Sequence, residues 1–244
     1  MKRWMSILLC AALMLSLCSL SAAAASGDAV DELIDGIVQW SLDRSGAADV
    51  QEWLDTGLSE SAGVGAEWYV LALRELGYEL DYSRYAAALQ NYVEGNSVAN
   101  ASTRERIALG FIAAGYNSPF INATGHDAIG ELGLMSYVYG LHLSNCGADC
   151  SLSGEEIVAA ILELQLADGG WAISGERGDP DATAMTLQAL APHREQENVA
   201  EAVDAGLAYL AAAQLDNGGY RSFGQETPES ICQVIVALCT LGIP

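Results

Sequence analysis

The chain carries the segment Gln165-Leu166-Ala167-Asp168-Gly169-Gly170-Trp171, and 49 residues later it repeats this segment as Gln214-Leu215-Asp216-Asn217-Gly218-Gly219-Tyr220. Each copy is followed by a Pro-acidic pair, Pro180-Asp181 or Pro228-Glu229, and then by an apolar helical run. A long period with the same order of elements is typical of repeat architectures, whose units bury their apolar faces against one another.

The net charge and the lysine content limit which binding partners and which catalytic mechanisms suit this chain. The 244 residues include 32 acidic and 10 basic side chains, which gives a net charge of −22, and no lysine follows Lys2. Nucleic acids and anionic membrane surfaces would repel such a chain. The lack of lysine excludes mechanisms that need its amine, such as a Schiff base or the phosphate grip of a P-loop.

The first 25 residues have the composition of a cleaved secretory signal peptide. Lys2-Arg3 is a charged start, Ile7–Leu20 is an apolar core, and Ala22–Ser26 is a small-residue cleavage zone. No later stretch approaches the roughly 20 apolar residues that a membrane-spanning helix requires. We therefore predict a signal peptide at 1–25 and one mature domain at 26–244, secreted or at the cell surface, without a transmembrane segment.

Helical periodicity dominates the mature chain, and no convincing strand pattern appears. Ser153 with Glu156 predicts a capping box, Gly77 and Gly115 end two helices, and Pro228 suits a first turn. Some predicted helices are apolar nearly all round, whereas the runs before them keep a charged face, so we expect an inner layer and an outer layer. The predicted helices are Ala29–Arg44, Ala66–Leu76, Tyr82–Val93, Thr103–Ala114, Leu132–Leu143, Ser153–Leu166, Asp181–Leu190, Ala200–Gln214 and Pro228–Leu241.

The pattern Gln-x-x-x-Gly-Gly-Trp at 165–171, with Tyr220 for Trp in the second copy, resembles the QW repeat of the terpenoid cyclase and protein prenyltransferase superfamily. The following segment Asp179–Leu190 is similar to the inner helices of that fold. The resemblance is specific over residues 155–244 and diffuse over 30–144. It implies an all-α fold of the α/α toroid type, a double ring of inner and outer helices. Five helical hairpins are recognisable and toroids of this superfamily commonly close with six, so the ring is either incomplete or begins with an irregular pair.

The repeated QW residues are expected to be structural. The Gln amide at the end of an outer helix would hydrogen-bond backbone groups at a neighbouring helix terminus while the aromatic ring packs over it. The Gly-Gly pair permits the sharp reversal of the chain. These residues are Gln165, Gly169, Gly170, Trp171, Gln214, Gly218, Gly219 and Tyr220.

Asp179-Pro180-Asp181-Ala182 is the segment to consider for catalysis. Class II terpenoid cyclases, which it resembles, protonate an alkene with an Asp-x-Asp-Asp motif, so Asp181 and Asp179 would be the catalytic residues of an enzyme. Ala182 replaces the final acid, and its loss changes the coupled titration and the driving force for protonation. The better supported interpretation is that Asp179 or Asp181 caps an inner helix.

Protein prenyltransferases use a zinc site of one Asp, one Cys and one His. Cys232 stands where that family has its cysteine ligand, and Glu226 or Glu229 would supply a carboxylate, but no histidine follows Cys232. The acid motif and the zinc triad are both incomplete, so we predict neither a catalytic residue nor a metal centre. An enzyme similar to squalene-hopene cyclase or to a prenyltransferase stays the alternative.

The cysteines of the mature chain fall into two pairs. Cys146 and Cys150 flank a Gly-Ala-Asp loop, where an oxidising space would favour a small-loop disulfide. Two metal ligands are the alternative, although no histidine or second cysteine pair lies near in sequence. Cys232 and Cys239 lie about 10 Å apart along one predicted helix, which is too far for a bridge, so we expect buried free thiols.

Exported toroids without catalytic motifs include the cobalamin carriers related to intrinsic factor and transcobalamin, and this chain resembles secreted bacterial toroid proteins. The resemblance implies a non-catalytic module whose mouth, formed by the loops at the inner-helix N-termini, meets an extracellular ligand. An acidic mouth suits a large polar molecule such as a corrinoid, or a calcium ion. The residues implied are Trp171, Glu176, Asp179, Asp181, Tyr220, Glu226 and Glu229. A purely structural domain of a surface protein is the second alternative.

Overall fold

The structure, a computed structural model, describes residues 27–243. This part of the chain is helical apart from one two-stranded hairpin, so the prediction of an all-α fold is confirmed. The signal peptide predicted at 1–25 lies outside the described residues. Between residues 27 and 243, no helix has both the length and the apolar character needed to cross a membrane.

The described residues form eleven α-helices, a π-helical turn at Leu54–Leu58 and a 3-10 turn at Ala191–His193. The strands β1 (Arg221–Ser222) and β2 (Gln225–Glu226) pair antiparallel. The helices are α1 (Gly27–Ser45), α2 (Val50–Trp53), α3 (Glu67–Glu75), α4 (Ser83–Gly95), α5 (Ala101–Ala113), α6 (Pro119–Asp127), α7 (Leu134–Asn145), α8 (Gly154–Glu163), α9 (Pro180–Leu190), α10 (Glu197–Ala213) and α11 (Pro228–Leu241).

All nine predicted helices are present, with ends displaced by a few residues, but three elements were missed. Helix α2 with its π turn is interrupted by polar residues, and α6 contains Gly125 and β-branched residues that weaken its helical pattern. Local capping compensates in α6, because the Ser118 hydroxyl accepts a hydrogen bond from Phe120 N at 3.2 Å. The hairpin has two residues in each strand, which is too short for a periodic signal.

The predicted helix ends are confirmed where capping chemistry signalled them. The Ser153 hydroxyl accepts from Glu156 N at 3.2 Å, and the Glu156 carboxylate accepts from Ser153 N at 2.8 Å, which completes the capping box. Gly77 and Gly115, which follow α3 and α5, have φ values of 81° and 69°. Glycine adopts this left-handed conformation without the steric penalty that other residues meet.

Helices α3, α5, α7, α9 and α11 form a row in which each packs against the next, and we name them the parallel row. In three of the four neighbouring pairs, polar contacts join like ends, which shows that the two helices of each of these pairs run in the same direction. At the carboxyl ends, the hydrogen bonds are Arg74 Nε to Ala113 O at 2.8 Å, Asn145 Nδ2 to Ala189 O at 3.1 Å, and Arg194 Nη1 to Leu241 O at 3.4 Å.

Helices α4, α6, α8 and α10 connect the members of the row, whereas α1 and α2 precede it. Helices α6, α8 and α10 pack on α5, α7 and α9, the row helix that precedes each, while α4 contacts the π turn and α5. Because the connecting helices return the chain, all five row helices begin at one end of the molecule. We name this end, with the loops at 59–66, 96–100, 128–133, 164–179 and 214–227, the N-terminal face.

The apolar core has two clusters that meet at α7. One cluster surrounds Trp171 and Leu187, and the other surrounds Tyr85 and Phe111. Helix α7 contributes Leu141 to the first and Leu143 to the second cluster. The row is therefore held by continuous apolar packing, and its N-terminal face is positioned by the buried parts of the helices that follow each loop.

Candidate functional site

The loop between α8 and α9 contains the first repeated segment and lies on the N-terminal face. Two backbone hydrogen bonds close this loop. Leu166 N donates to Gly170 O at 2.9 Å, and Asp179 N donates to Trp171 O at 2.8 Å. Gly169 has a φ of 86°, and a Cβ at this position would lie 2.7 Å from the backbone oxygen of Ala205. The turn therefore requires glycine for both conformation and space.

Gln165 ties this loop to helix α10. Its amide Nε2 donates to Gly169 O at 2.8 Å and to Ala202 O at 2.9 Å. The second acceptor lies inside α10, whereas the sequence indicated a helix terminus. In the second repeat, the Gln214 amide donates to Gly218 O at 3.3 Å and its side chain is exposed.

The two repeat aromatics belong to the core. Trp171 has no exposed surface, and its indole nitrogen donates to Ile161 O at 2.8 Å. Tyr220 is also buried, in the same apolar cluster. The expectation that these rings face a ligand is therefore corrected: their surfaces are already in contact with the protein interior.

Asp179 is the N-cap of α9 and also joins two loops. Its Oδ1 accepts from the backbone nitrogens of Asp181 and Ala182 at 3.0 and 3.1 Å. Its Oδ2 accepts from the Ser222 hydroxyl at 2.8 Å and from Phe223 N at 3.4 Å. Both oxygens are thus occupied by donors, and the carboxylate stabilises a helix start and the hairpin beside it.

Asp181 lies in the first turn of α9 and is partly buried. Its Oδ1 is shielded from solvent and has no hydrogen-bond partner. Burial raises the pKa of this carboxyl above its ordinary value, although the hydroxyl of Ser230 favours the charged form. The negative charges of Asp179 and Glu229 raise the pKa further.

The three glutamates predicted for the site are exposed on this face. Glu176 lies in the loop before α9, and Glu229 lies in the first turn of α11. Glu226 is held at the end of the hairpin, where its Oε1 accepts from Asn217 Nδ2 at 2.6 Å. The structure therefore brings Asp179, Asp181 and Glu229 together at the adjoining N-termini of α9 and α11.

Sequence reasoning missed three polar residues of this site. Ser222 and Ser230 place their hydroxyls by Asp179 and Asp181, and both serines are buried. Tyr209 of α10 packs against the loop, since a Cβ on Gly178 would lie 2.7 Å from its ring. Burial, and then the charges of Asp168 and Asp179, raise the pKa of Tyr209 to about 12. Ser230 directly follows the Pro228-Glu229 pair and Ser222 lies in the hairpin before it, and neither position forms a recognisable motif, so only the fold reveals these neighbours.

A second polar cluster lies further along the same face, between α3 and α5. The buried carboxylate of Glu67 accepts from Gly63 N at 2.5 Å and from Gly65 N at 3.1 Å. The Tyr85 hydroxyl donates to it at 3.3 Å, and Arg106 Nε lies 3.5 Å away. This side chain is satisfied on all sides, so it organises the loop before α3.

Glu105 of α5 is buried, but unlike Glu67 its carboxylate receives no hydrogen bond. The residue has no exposed surface, and neither carboxylate oxygen has a hydrogen-bond partner. Burial raises the pKa of Glu105 to about 9, with Arg104 opposing this shift and Glu131 adding to it. The carboxyl therefore stays protonated in the folded chain at neutral pH.

The cysteines do not form the bridge that the sequence favoured. Cys146 and Cys150 are both free thiols, and they face different neighbours. Cys146 follows α7 and is exposed near Glu75, whereas the Cys150 sulfur lies 3.1 Å from the position that a Cβ on Gly125 would occupy. Cys232 is a buried free thiol and Cys239 a partly buried one. In residues 27–243, no group of three His, Cys, Asp or Glu side chains is arranged to hold a metal ion.

No protein-family model matches the chain. No curated protein matches its sequence significantly. The superfamily resemblance of the QW segments therefore stays a prediction that rests on those residues.

Proposed function

We propose that this chain is an exported, non-catalytic module of the α/α toroid type that binds an extracellular ligand at its N-terminal face. The observation that carries the proposal is a difference in hydrogen bonding between Asp179 and Asp181. Asp179 has both oxygens occupied by donors, so it is a structural group. Asp181 keeps an unpaired oxygen next to the exposed acids of the same face.

The environment of Asp181 argues against alkene protonation. A cyclase needs a strong carboxylic acid, because an alkene is a very weak base. Burial and neighbouring negative charges instead raise the pKa of Asp181, which makes it a weaker acid. The position of the missing third acid is Ala182, which is buried. These features support a ligand contact more than a proton donor.

Two features of the helix packing support the toroid. The first is the parallel row itself, because each of its four connecting segments returns the chain to the same face. The second is a contact between Trp68 of α3 and Tyr139 of α7, whose ring centroids are 6.0 Å apart. These helices both pack on α5 and are not neighbours in the row. The contact between their side chains on one side of α5 supports a row that curves toward that side, as in a ring.

The charge of the N-terminal face indicates which chemical groups its ligand carries. Glu176, Glu226 and Glu229 are exposed there, and Asp181 Oδ1 has no donor. A ligand with hydrogen-bond donors or positive charge complements these groups, whereas an anion is repelled. A corrinoid, whose periphery carries many amide N–H groups, is the small molecule that fits this description best.

A thermal-shift panel tests the proposal with the purified chain. The panel contains corrinoids, isoprenyl diphosphates, squalene, glycans and calcium, and it is repeated with Asp181→Asn and with Glu201→Gln, an exposed acid of α10, as the matched control. We expect a ligand-dependent rise in Tm that Asp181→Asn reduces and Glu201→Gln leaves unchanged.

Two results would replace the proposal by its alternatives. Turnover of an isoprenoid that Asp181→Asn abolishes would establish a cyclase-like enzyme. A panel without any stabilising ligand, combined with a stable folded chain, would favour a structural domain of a surface protein.

A further inference from the structure

Four of the five loops on the N-terminal face expose a large apolar side chain. Each of these residues precedes a different helix of the parallel row. They are Val64 at 64% exposure, Leu132 at 47%, Ile173 at 55% and Phe223 at 74%. The N-terminal face of an acidic protein thus displays exposed apolar groups on four of its loops, which is a feature of interaction surfaces.

Phe223 is the most exposed of these side chains, and its backbone conformation is unfavourable. It has a φ of 46°, followed by Gly224 with a φ of 77°, in a two-residue turn between the paired Ser222 and Gln225. Such turns favour Asn-Gly, because asparagine tolerates the left-handed region and an aromatic residue does not. The exposed ring gains little packing in return, so the local cost has no compensation within the chain.

The structure holds this hairpin in place before any partner arrives. The Ser222 hydroxyl and Phe223 N both donate to Asp179 Oδ2, at 2.8 and 3.4 Å. At the other end of the hairpin, Glu226 accepts from Asn217 at 2.6 Å. An exposed aromatic side chain on a fixed support loses little conformational entropy on binding, which is what an interface anchor requires.

The charges around Phe223 identify the chemistry of a partner. Asp181, Glu226 and Glu229 lie at the same pair of helix starts, and Arg221 is the cation of the hairpin. This acidic surround repels a second copy of a chain whose net charge is −22, and it repels an anionic membrane. An apolar pocket bordered by basic side chains complements both the ring and the acids.

We propose that the Phe223 hairpin is a protein-docking anchor, and that its partner is a protein segment with an apolar pocket or stripe bordered by arginine and lysine. This inference rests on the proposed function, since it uses the same face and names a class of ligand for it. Phe223 enters the apolar part of the partner, and the neighbouring carboxylates pair with its basic rim.

Binding of synthetic peptides to the immobilised full chain tests the inference. Three peptide designs are compared: apolar residues with Arg and Lys, the same apolar residues with Glu, and Arg and Lys without apolar residues. We expect measurable binding of the first design alone. Phe223→Asn should weaken it about tenfold or more, and Trp40→Asn, an exposed aromatic on α1, should leave it unchanged.

The same variant separates binding from folding. Asn-Gly suits the turn better than Phe-Gly, so Phe223→Asn should raise Tm by about 2–4 °C while it weakens binding. A loss of binding together with a fall in Tm would indicate that Phe223 supports the fold, and would overturn the inference. Equal binding by wild type and Phe223→Asn, or equal binding of the acidic and basic apolar peptides, would also overturn it.

A membrane surface or a second copy of the chain, as the binding partner of the Phe223 hairpin, would give different experimental results. Phe223-dependent binding to phosphatidylcholine vesicles without peptide binding would assign the hairpin to a membrane surface, and Phe223-dependent dimers in sedimentation would assign it to a second copy. Either result contradicts the inference. If a small molecule binds through Asp181 and no peptide binds, the inference alone fails. If neither binds, the proposed function fails with it.

Discussion

The Ser222 hydroxyl donates to Oδ2 of Asp179 at 2.8 Å, and this bond ties the hairpin before α11 to the first turn of α9. The two residues are 43 positions apart in the chain. Because the other oxygen of Asp179 caps α9, one carboxylate serves a helix start and a tertiary contact together.

We predict that Asp179→Ala lowers the free energy of unfolding by about 2 kcal/mol, since it removes a cap and leaves the hairpin donors unpaired. Ser222→Ala should cost about 1 kcal/mol. Urea unfolding of both single variants and the double variant measures their coupling. A coupling of about 1 kcal/mol is expected, and strictly additive losses would contradict the shared hydrogen bond.

The repeat glutamines provide a matched pair. Gln165 donates to Gly169 O and to Ala202 O, whereas the exposed Gln214 donates to Gly218 O at 3.3 Å. We expect Gln165→Ala to lower the free energy of unfolding by about 1–2 kcal/mol and Gln214→Ala by less than about 0.5 kcal/mol. Chemical denaturation of the two variants checks this order. Equal losses would show that the bond to α10 contributes nothing.

Glu105→Gln should change stability in a way that depends on pH. Burial raises the pKa of Glu105 to about 9, so the folded chain keeps its proton while the unfolded chain ionises near the ordinary pKa of 4.5. Its contribution to stability is therefore fully present below about pH 4.5 and is lost progressively toward pH 9. The charged and titratable groups around it are Arg104, Glu131, Tyr139 and Cys150.

The variant removes that titration. We expect Glu105→Gln to be more stable than wild type by on the order of 2 kcal/mol at pH 7, with the difference vanishing at pH 4. Thermal unfolding across this range measures the difference, and Glu201→Gln is the exposed control. A constant difference at every pH would show that Glu105 is ionised in the folded chain.

The thiols should differ in reactivity. Cys146 is exposed, while burial raises the pKa of the Cys232 thiol to about 11. We expect iodoacetamide to modify Cys146 first and Cys232 only after unfolding, because the thiolate is the reacting form. Peptide mapping by mass spectrometry reads both sites. A Cys146–Cys150 cross-linked peptide in a non-reduced map would show instead that the chain forms the predicted disulfide.

Helix positions and caps could be predicted because their causes are local. The Ser153 capping box, the glycines after α3 and α5, and the apolar spacing along α11 act between residues a few positions apart. For the same reason, the preferred interpretation that an aspartate caps α9 could be stated in advance, and Asp179 is that aspartate. The sequence left open which of the two acids it would be.

The composition of the candidate site depended on contacts between distant segments. Trp171 and Tyr220 belong to the QW segments, which we expected to be structural, and also to the predicted ligand-facing mouth. Packing places both rings in the core. Ser222, Ser230 and Tyr209 reach the aspartates only because α9, α10 and α11 are adjacent. Their spacing in the chain carries no signal of that proximity.

Sequence patterns alone therefore determined the helical class, most helix boundaries and the repeated turn, since these follow from interactions within a few residues. Tertiary packing decided which carboxyls are satisfied and which are not. Glu67 gains four partners from its surroundings, whereas Glu105 is buried without a hydrogen-bond partner. The same packing left the Phe223 ring exposed at 74%. Burial and exposure depend on neighbours that only the assembled fold brings together.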